Sequence, residues 1–392
     1  MDGELWWVLG GVLAVATLPG TLVLLMLSLA ALLPRRRPLV PARDPATLRL
    51  CVVVPAHNEE SGIGRTVQSL LACEGADVGV EIVVVADNCA DDTAGAARRA
   101  GARVIERRDP ERRGKGWALD FAFAQLGEEP WEAFAVVDAD TVVEPHLLRQ
   151  LRAAFVAGAD AAQVRYSTLD HERSLRTRLL HIAFLGINVV RPRGRERLGL
   201  SAGIVGNGFA LSRATLDRVP YRAATSIVED LEYHLRLVRA GQRVRFVDDV
   251  AVRSEMPSGG AAAESQRTRW EGGRLLVLRE NAAALLGDLL RGQWRLLEPL
   301  GDLLLLPLAF HVLLLMLTLA VPVDLIRLYA AGGLGVVALH VLAAVRVGGG
   351  GLRDLWSLAA APGYVVWKLL ILGRIGRAAR RSQEWVRTER DR

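Results

Sequence analysis

The chain has 392 residues, 51% of them hydrophobic, and a mean hydropathy of +0.23, high for a soluble enzyme and long enough for roughly two to three domains. Its formal charge of +6, from 49 basic and 43 acidic residues, suits anionic partners such as phosphates, nucleic acid or the inner leaflet of a membrane. Three scattered cysteines (Cys51, Cys73, Cys89) exclude a disulfide framework and a zinc motif, and fit a reducing compartment.

Leu5 to Leu33 is almost wholly apolar and long enough to span a bilayer with some tilt. It opens on Asp2 and Glu4 rather than on the basic residues of a secretory signal, and Arg35, Arg36 and Arg37 follow it. The positive-inside rule then makes it an anchor with its amino end outside.

From Arg49 to about Asn281, short apolar runs alternate with helical stretches, the pattern of an α/β sheet. A first strand, Leu50 to Val54, ends at Pro55 and a polar loop, Ala56-His57-Asn58-Glu59-Glu60. Ser61 is the expected N-cap of a helix that packs Ile63, Val67, Leu70 and Leu71 on the sheet. A second strand, Ile82 to Val85, ends at Asp87; Thr93 caps a short helix closed by Gly101, and Val104-Ile105 forms a third strand. Then comes a basic loop with Arg107, Arg108, Arg112, Arg113 and Lys115, opening the helix that carries Trp117 and Phe121. Such a loop can hold a diphosphate with side-chain charge and helix N-terminal amides. It is not a Walker loop, and no GxGxxG follows the early strands, which counts against a dinucleotide fold.

In the stretch Phe134 to Glu144, a buried strand stops at two carboxylates, Asp138 and Asp140. An apolar run ending in acids suits the carboxyl edge of a parallel sheet, where α/β proteins bind ligands. Two such oxygens, with Thr141 beside them, can hold a divalent metal through phosphate oxygens, or can be a solvated turn. With Asp87 they put acids at two strand ends, as if around one crevice.

A helix over Leu147 to Phe155, a strand at Ala161 to Val164, a long helix over Ser174 to Val190 and a basic hinge, RPRGRER, come next. The segment Gly203 to Phe209, with Gly206 and Asn207, is glycine-dense, which permits close backbone approach to a ligand or simply a tight connection. Glu229 and Asp230 precede a helix, Leu231 to Ala240, where acids favour the macrodipole. Gln266, Arg269 and Trp270 share one helical face. Leu303 to Val321 and Leu325 to Val345 form a second apolar pair. Leu355 to Leu372 is interrupted by Trp356, Pro362 and Lys368 and is followed by Arg374, Arg377, Arg380 and Arg381. Keeping that basic tail inside requires an odd number of crossings, hence three spans with the last segment in the interface. The expected order is an anchor (1–34), a linker (35–48), a cytoplasmic catalytic domain (49–281), an interfacial region (282–302), two transmembrane helices (303–347) and an interfacial or re-entrant segment with the basic tail (348–392).

In order, VVVPAHNEE, VVVADNCADDT, RGKG, VVDAD, GNGF, VED and QRTRW resemble the signatures of membrane-bound family-2 glycosyltransferases, inverting enzymes of the GT-A nucleotide-sugar fold that include cellulose, hyaluronan and poly-N-acetylglucosamine synthases. The resemblance spans about 220 residues between the apolar ends. It implies a mostly parallel sheet flanked by transmembrane helices, in a multi-pass plasma-membrane protein with its catalytic domain in the cytoplasm. It implies that Pro55, Asn58 and Glu59 line the nucleotide pocket, that Asp87 bonds the base, typically uracil, and that Lys115 contacts the diphosphate. Asp138 would sit near ribose and metal, with Asp140 ligating Mg2+ or Mn2+. Asp230 would be the catalytic base, and Gln266, Arg269 and Trp270 would bind diphosphate and frame the acceptor entrance. Gly206, Asn207 and Glu229 fall within the same substrate-binding motifs. His57 stands where the family commonly has tyrosine. A nucleotide-sugar donor, a growing polysaccharide or a lipid-linked acceptor, membrane lipid and further subunits or copies of the chain are the expected partners. Nucleic acid is not expected, because stacking aromatics are sparse around the basic loops. An inactive nucleotide-sugar-binding membrane protein is the reading from a different class.

Overall fold

The computed structural model describes residues 2–34, 42–169, 171–222, 228–255 and 260–363, with the backbone alone for residues 2 and 260–271. In chain order the elements are α1 (Asp2–Leu32), β1 (Leu50–Ala56), α2 (Ile63–Leu71), β2 (Val80–Asp87), α3 (Thr93–Arg99), β3 (Arg103–Arg107), α4 (Lys115–Leu126), β4 (Ala133–Val136), β5 (Thr141–Val143), α5 (Leu147–Val156) and β6 (Ala161–Thr168). They continue with α6 (Leu175–Leu185), a π-helical turn (Gly186–Val190), α7 (Arg191–Leu198), β7 (Phe209–Ser212), α8 (Arg213–Arg218), α9 (Glu229–Arg239) and β8 (Val244–Ser254). Last come α10 (Gly260–Leu290), α11 (Leu297–Leu304), α12 (Leu308–Ala320), α13 (Asp324–Val347) and α14 (Leu352–Ser357). These elements form two compact units. One holds the sheet; the other, which among the described residues takes in 2–34, 171–200 and 263–363, holds α1, α6, α7, nearly all of α10 and α11 to α14.

The sheet runs β3-β2-β1-β4-β7-β6-β8-β5. β3, β2, β1 and β4 are parallel, β7 runs antiparallel to β4 and β6, β6 and β8 are parallel, and β5 closes the edge antiparallel to β8. The expected parallel sheet is therefore realised in its first half and mixed in its second. β1 is apolar and buried on both faces, as a central parallel strand must be. Leu50, Val52 and Val54 join Ile63, Val67 and Leu70 of α2 and Leu147, Leu148 and Leu151 of α5 in one core. Truncating one of these leucines or Ile63 to alanine should cost about 2–5 kcal/mol. Phe134 points to the opposite face, where the Phe123 ring of α4 meets it edge-on at 5.6 Å.

Local starts differ from expectation. Gly62, not Ser61, occupies the N-cap of α2, without a side-chain cap bond. Thr93 is the first helical residue of α3 rather than its cap, because its hydroxyl instead accepts from the Glu59 amide at 2.8 Å.

In the helical unit, α1 and α13 lie side by side in the same direction. Thr17 Oγ1 meets Tyr329 Oη at 2.8 Å, and Ser28 Oγ meets His340 Nδ1 at 2.9 Å. α12 runs against them, with Thr21 Oγ1 3.1 Å from His311 Nε2. By length and composition α1 and α13 can each cross a membrane, and a third crossing results if Trp294–Leu304 and α12, bent by 77°, are one broken span. The expected continuous apolar segment Leu303 to Val321 is thus interrupted. Pro307 has no N–H to extend a helix, and Leu305 turns extended ahead of it. The RPRGRER run is not a hinge but α7, and Arg195, buried, pairs with Glu298 at 2.5 Å and Asp302 at 2.6 Å on α11. That pairing draws residues 171–200, expected within the 49–281 domain, into the helical unit. Arg35 to Arg37 and the segment from residue 364 onward, with its basic tail, lie outside the described residues.

Candidate active site

The parallel register brings the carboxyl ends of β1, β2 and β3 level: Pro55 pairs with Val85, and Asp87 with Arg107. After β1 the chain turns through Asn58 at φ +55, a left-handed conformation that asparagine tolerates. Asn58 Oδ1 accepts from the Ala90 amide at 2.7 Å and the Glu60 amide donates to Asp91 at 3.2 Å, so the loops after β1 and β2 are knitted together. Asp87 is buried. Its Oδ1 accepts from Arg107 Nη1 at 2.7 Å and from Asn88 Nδ2 at 3.0 Å. Arg107 was expected in the diphosphate loop. Instead it is buried beneath it, also donating to the Arg112 carbonyl and to Asp109. Register dictates this, since β3 delivers Arg107 opposite Asp87. His57 Nδ1 donates to the Asp87 carbonyl at 2.7 Å, which fixes the ring over the same strand end. Glu59 is buried.

One strand further, Lys115 opens α4 behind Gly114. Its ammonium donates to Asp138 Oδ1 and to the Gly206 carbonyl. Gly206, at φ +81, lies so close to α9 that a Cβ there would sit 3.0 Å from Asp230 Oδ2 and 3.9 Å from Lys115 Nζ. Asp138, Lys115, Gly206 and Asp230 are therefore one constellation, assembled from four separate segments. Burial disfavours the Lys115 ammonium, but Asp138, Glu229 and Asp230 outweigh it and hold its pKa above the ordinary lysine value. Burial and the neighbouring Asp230 push Glu229 up to about 7, against the pull of Lys115. Asp230 is raised as well, chiefly by burial, and opposed by the Leu231 amide, which donates to its Oδ1 at 2.8 Å, and by Lys115. Two adjacent buried acids, both held above the ordinary carboxylate range, mark this end of the sheet as a place for proton transfer.

Asn207 fastens this arrangement. Buried, it accepts from the Asp138 amide at 3.1 Å, and its Nδ2 donates to Thr141 Oγ1 at 2.9 Å and Ser254 Oγ at 3.1 Å. Gln163 Nε2 donates to the Asn207 carbonyl at 2.8 Å, and Gln163 Oε1 accepts from the Val205 amide at 3.0 Å. Asn207 thus positions the loop rather than facing a ligand with its amide. Thr141 donates to Asp140 Oδ1 at 3.3 Å. Tyr166 is raised by burial and by Asp140 and Asp138, which places its phenol among these acids.

Pro55, Asn58, Glu59 and Asp87 gather at the first strand ends; Lys115, Asp138, Gly206, Asn207, Glu229 and Asp230 gather at the second. Gln266, Arg269 and Trp270 fall on α10 where side chains lie outside the described residues. Sequence reasoning missed Gln163, Ser254 and Tyr166; all sit on β6 and β8, whose pairing brings Tyr166 beside Val252 and Thr168 beside Ser254. It also missed Tyr221, whose hydroxyl is raised by burial and by Glu229 and Asp230. No group of three or more His, Cys, Asp or Glu side chains among the described residues forms a self-sufficient metal cage.

A model of the "Glycosyltransferase like family 2" matches residues 45–273. A probable glycosyltransferase, YdaM, of Bacillus subtilis is 26% identical over 238 residues, covering 59% of this chain and 56% of that one. A β-monoglucosyldiacylglycerol synthase of Synechocystis is 29% identical over 278 residues, covering 68% and 57%. The chain thus spans little more than half the length of these curated relatives. Among solved structures, the mannosyltransferase PcManGT from Pyrobaculum calidifontis, in complex with GDP-Man and Mn2+, superposes with a TM-score of 0.57 at 18% identity, over 96% of this chain and 98% of that one. The last likeness bears out the expected GT-A-type fold. With more than half of its length matched by the family model, the chain belongs to the glycosyltransferase-like family 2.

Proposed function

We propose that the protein is a multi-pass membrane glycosyltransferase that moves a sugar from a nucleotide-diphosphate sugar to an acceptor hydroxyl with inversion, giving a β-linkage. The observation that carries this reading is the placement of Asp230 against Gly206 and Lys115, with Asp138 on the other side of the ammonium. Asp230 is the base that takes the acceptor hydroxyl's proton, and its raised pKa, beside Glu229, suits that task near neutral pH. Lys115 faces charge developing on the leaving diphosphate, and α4, which it opens, turns its amide end the same way.

Asp138 and Asp140 would hold Mg2+ or Mn2+. Their carboxylate oxygens are of the kind a hard cation takes. Such an ion, when bound, neutralises the departing diphosphate. For the base, Asp87 Oδ1 is committed to Arg107 and Asn88, so Oδ2 is the oxygen left to accept one N–H. Uracil offers one, at N3, whereas guanine offers two to a carboxylate. A UDP-sugar is therefore the favoured donor.

For the acceptor, the diacylglycerol-glucosylating relative matches 68% of this chain, so a single transfer to a membrane-lipid hydroxyl is favoured. Extension of a polysaccharide is the second reading, supported by the QRTRW sequence. The α1 end that precedes Arg35 to Arg37, and with it the catalytic domain, is assigned to the cytoplasm. Purified protein in lipid vesicles, given labelled UDP-sugars and Mn2+, should yield one glycolipid carrying a single added sugar. A ladder would select the polysaccharide reading, and no diphosphate release with any nucleotide sugar would overturn transfer itself.

A further inference from the structure

The arginine run of α7 has no role in the chemistry above. α7 crosses α1 where a Cβ on Gly194 would collide with the Leu27 carbonyl, and Gly301 of α11 approaches Val23, so α7 and α11 both flank the last third of α1. Between them lies a buried ionic cluster. Arg195 takes both Glu298 and Asp302 at 2.5 and 2.6 Å. Arg191, also buried, reaches only as far as 3.7 Å from Asp302, and Arg274 of α10 only 3.8 Å. Three guanidiniums therefore share two carboxylates already engaged by one of them. Arg191 Nε and Arg274 Nε and Nη2 are buried without a hydrogen-bond partner, as is Glu298 Oε2. Burial pushes the Arg191 guanidinium down, Asp302 pulls it up, and Arg274 and Arg195 push it down again. A guanidinium does not give up its proton in a protein, so among the described residues the cluster holds three guanidiniums against two carboxylates. A buried charge without a counter-ion is costly, and an incoming anion relieves it.

Two observations choose the anion. The free donors belong to forked guanidiniums, which match phosphate oxygens in pairs. Leu297 and Trp294, 58% and 71% exposed, stand beside the cluster on and before α11, offering surface to acyl chains. We propose that Arg191 and Arg274, held by the Arg195–Glu298–Asp302 pairs, bind the phosphate of an anionic membrane lipid.

The full chain in detergent micelles, titrated with phosphatidylglycerol, phosphatidylcholine or inorganic phosphate and followed by native mass spectrometry, tests this. Phosphatidylglycerol should be retained about tenfold better than phosphatidylcholine, and Arg274→Gln should lose about that factor. Arg274→Lys, which keeps the charge without the fork, should fall between. If Arg274→Gln does not purify as a folded monodisperse protein, Arg191→Lys and Arg274→Lys carry the comparison. Equal retention of both lipids, variants that hold phosphatidylglycerol like the parent, or inorganic phosphate binding as tightly as the lipid would each overturn the proposal. Retention is read independently of sugar transfer, so failure of the transfer reading leaves this result interpretable.

Discussion

Replacing Gly206 by alanine isolates the contact on which the proposed chemistry depends. At φ +81 a side-chain-bearing residue is disfavoured by about 1–2 kcal/mol, so some stability is lost wherever the new methyl points. The methyl would lie 3.0 Å from Asp230 Oδ2, so that carboxylate must yield by a few tenths of an ångström while the Leu231 amide holds its other oxygen. Misplacing a reacting group on the order of 1 Å costs about a hundredfold in rate. Gly206→Ala should therefore lower kcat about 10- to 100-fold while donor KM changes by less than about threefold. Gly208→Ala is the control. Its φ is also positive, at +69, but its Cβ would strike Val164 and Val252 at 2.7 Å, so it overpacks the core by about 1–3 kcal/mol without touching Asp230. Nucleotide-diphosphate release and thermal melts on the same preparations give both numbers. A folded Gly206→Ala protein with parental kcat would refute the reasoning, as would rate losses in the two variants that simply track their stability losses.

Asp230→Asn should lower transfer by about 10²–10⁴-fold with donor affinity nearly intact, as read by calorimetric titration of the nucleotide; parental turnover would remove Asp230 from the mechanism. Glu229→Gln removes the like charge beside Asp230, so the rising limb of kcat/KM should move to lower pH; an unmoved limb would mean the two acids are not coupled. Stability has a matching sign. Glu229 is raised from 4.5 to about 7, so its contribution is full below pH 4.5 and lost as pH rises through 7, and Glu229→Gln should melt higher than the parent at pH 8 but not at pH 4.5. Arg107→Met strands the buried Asp87 carboxylate and should cost about 3–5 kcal/mol in urea unfolding; a cost below about 1 kcal/mol would show that the pair is not structural.

Much of the sheet unit is written locally. Val52 to Val54 and Ile82 to Val85 are runs whose burial on both faces follows from composition; β1 runs on through Pro55 to Ala56, past its expected end, and β2 runs to Asp87. Parallel register sets the carboxyl ends of β2 and β4 on the same edge of the sheet, on either side of β1, so Asp87 and Asp138 head two groups along that edge. What escaped reading depends on partners distant in sequence. Arg107 looks like one more cation in a basic loop, and only β2–β3 pairing reveals it as the counter-ion of Asp87. RPRGRER looks like a hinge because its mates, Glu298 and Asp302, come about a hundred residues later. Ser254 ends an eleven-residue strand that carried no motif, yet it holds Asn207. The break at Pro307 was visible in principle, since proline ends helices, but the apolar composition on either side masks it.

The parallel pairing of α1 with α13 also sets an order of events in the making of the protein. Thr17 and Ser28 meet Tyr329 and His340, each 312 residues further along the chain. At translation rates of about 5–20 residues per second, the first helix must wait roughly 15–60 s for those partners to be synthesised. It can do so because each hydroxyl also bonds its own helix, Thr17 to the Leu13 carbonyl at 2.8 Å and Ser28 to the Leu24 carbonyl at 2.5 Å. α1 is therefore self-sufficient in these bonds from the start and acquires its second set only when α13 has been made. A chain stalled before Asp324 would carry α1 without the partners of Thr17 and Ser28 on α13.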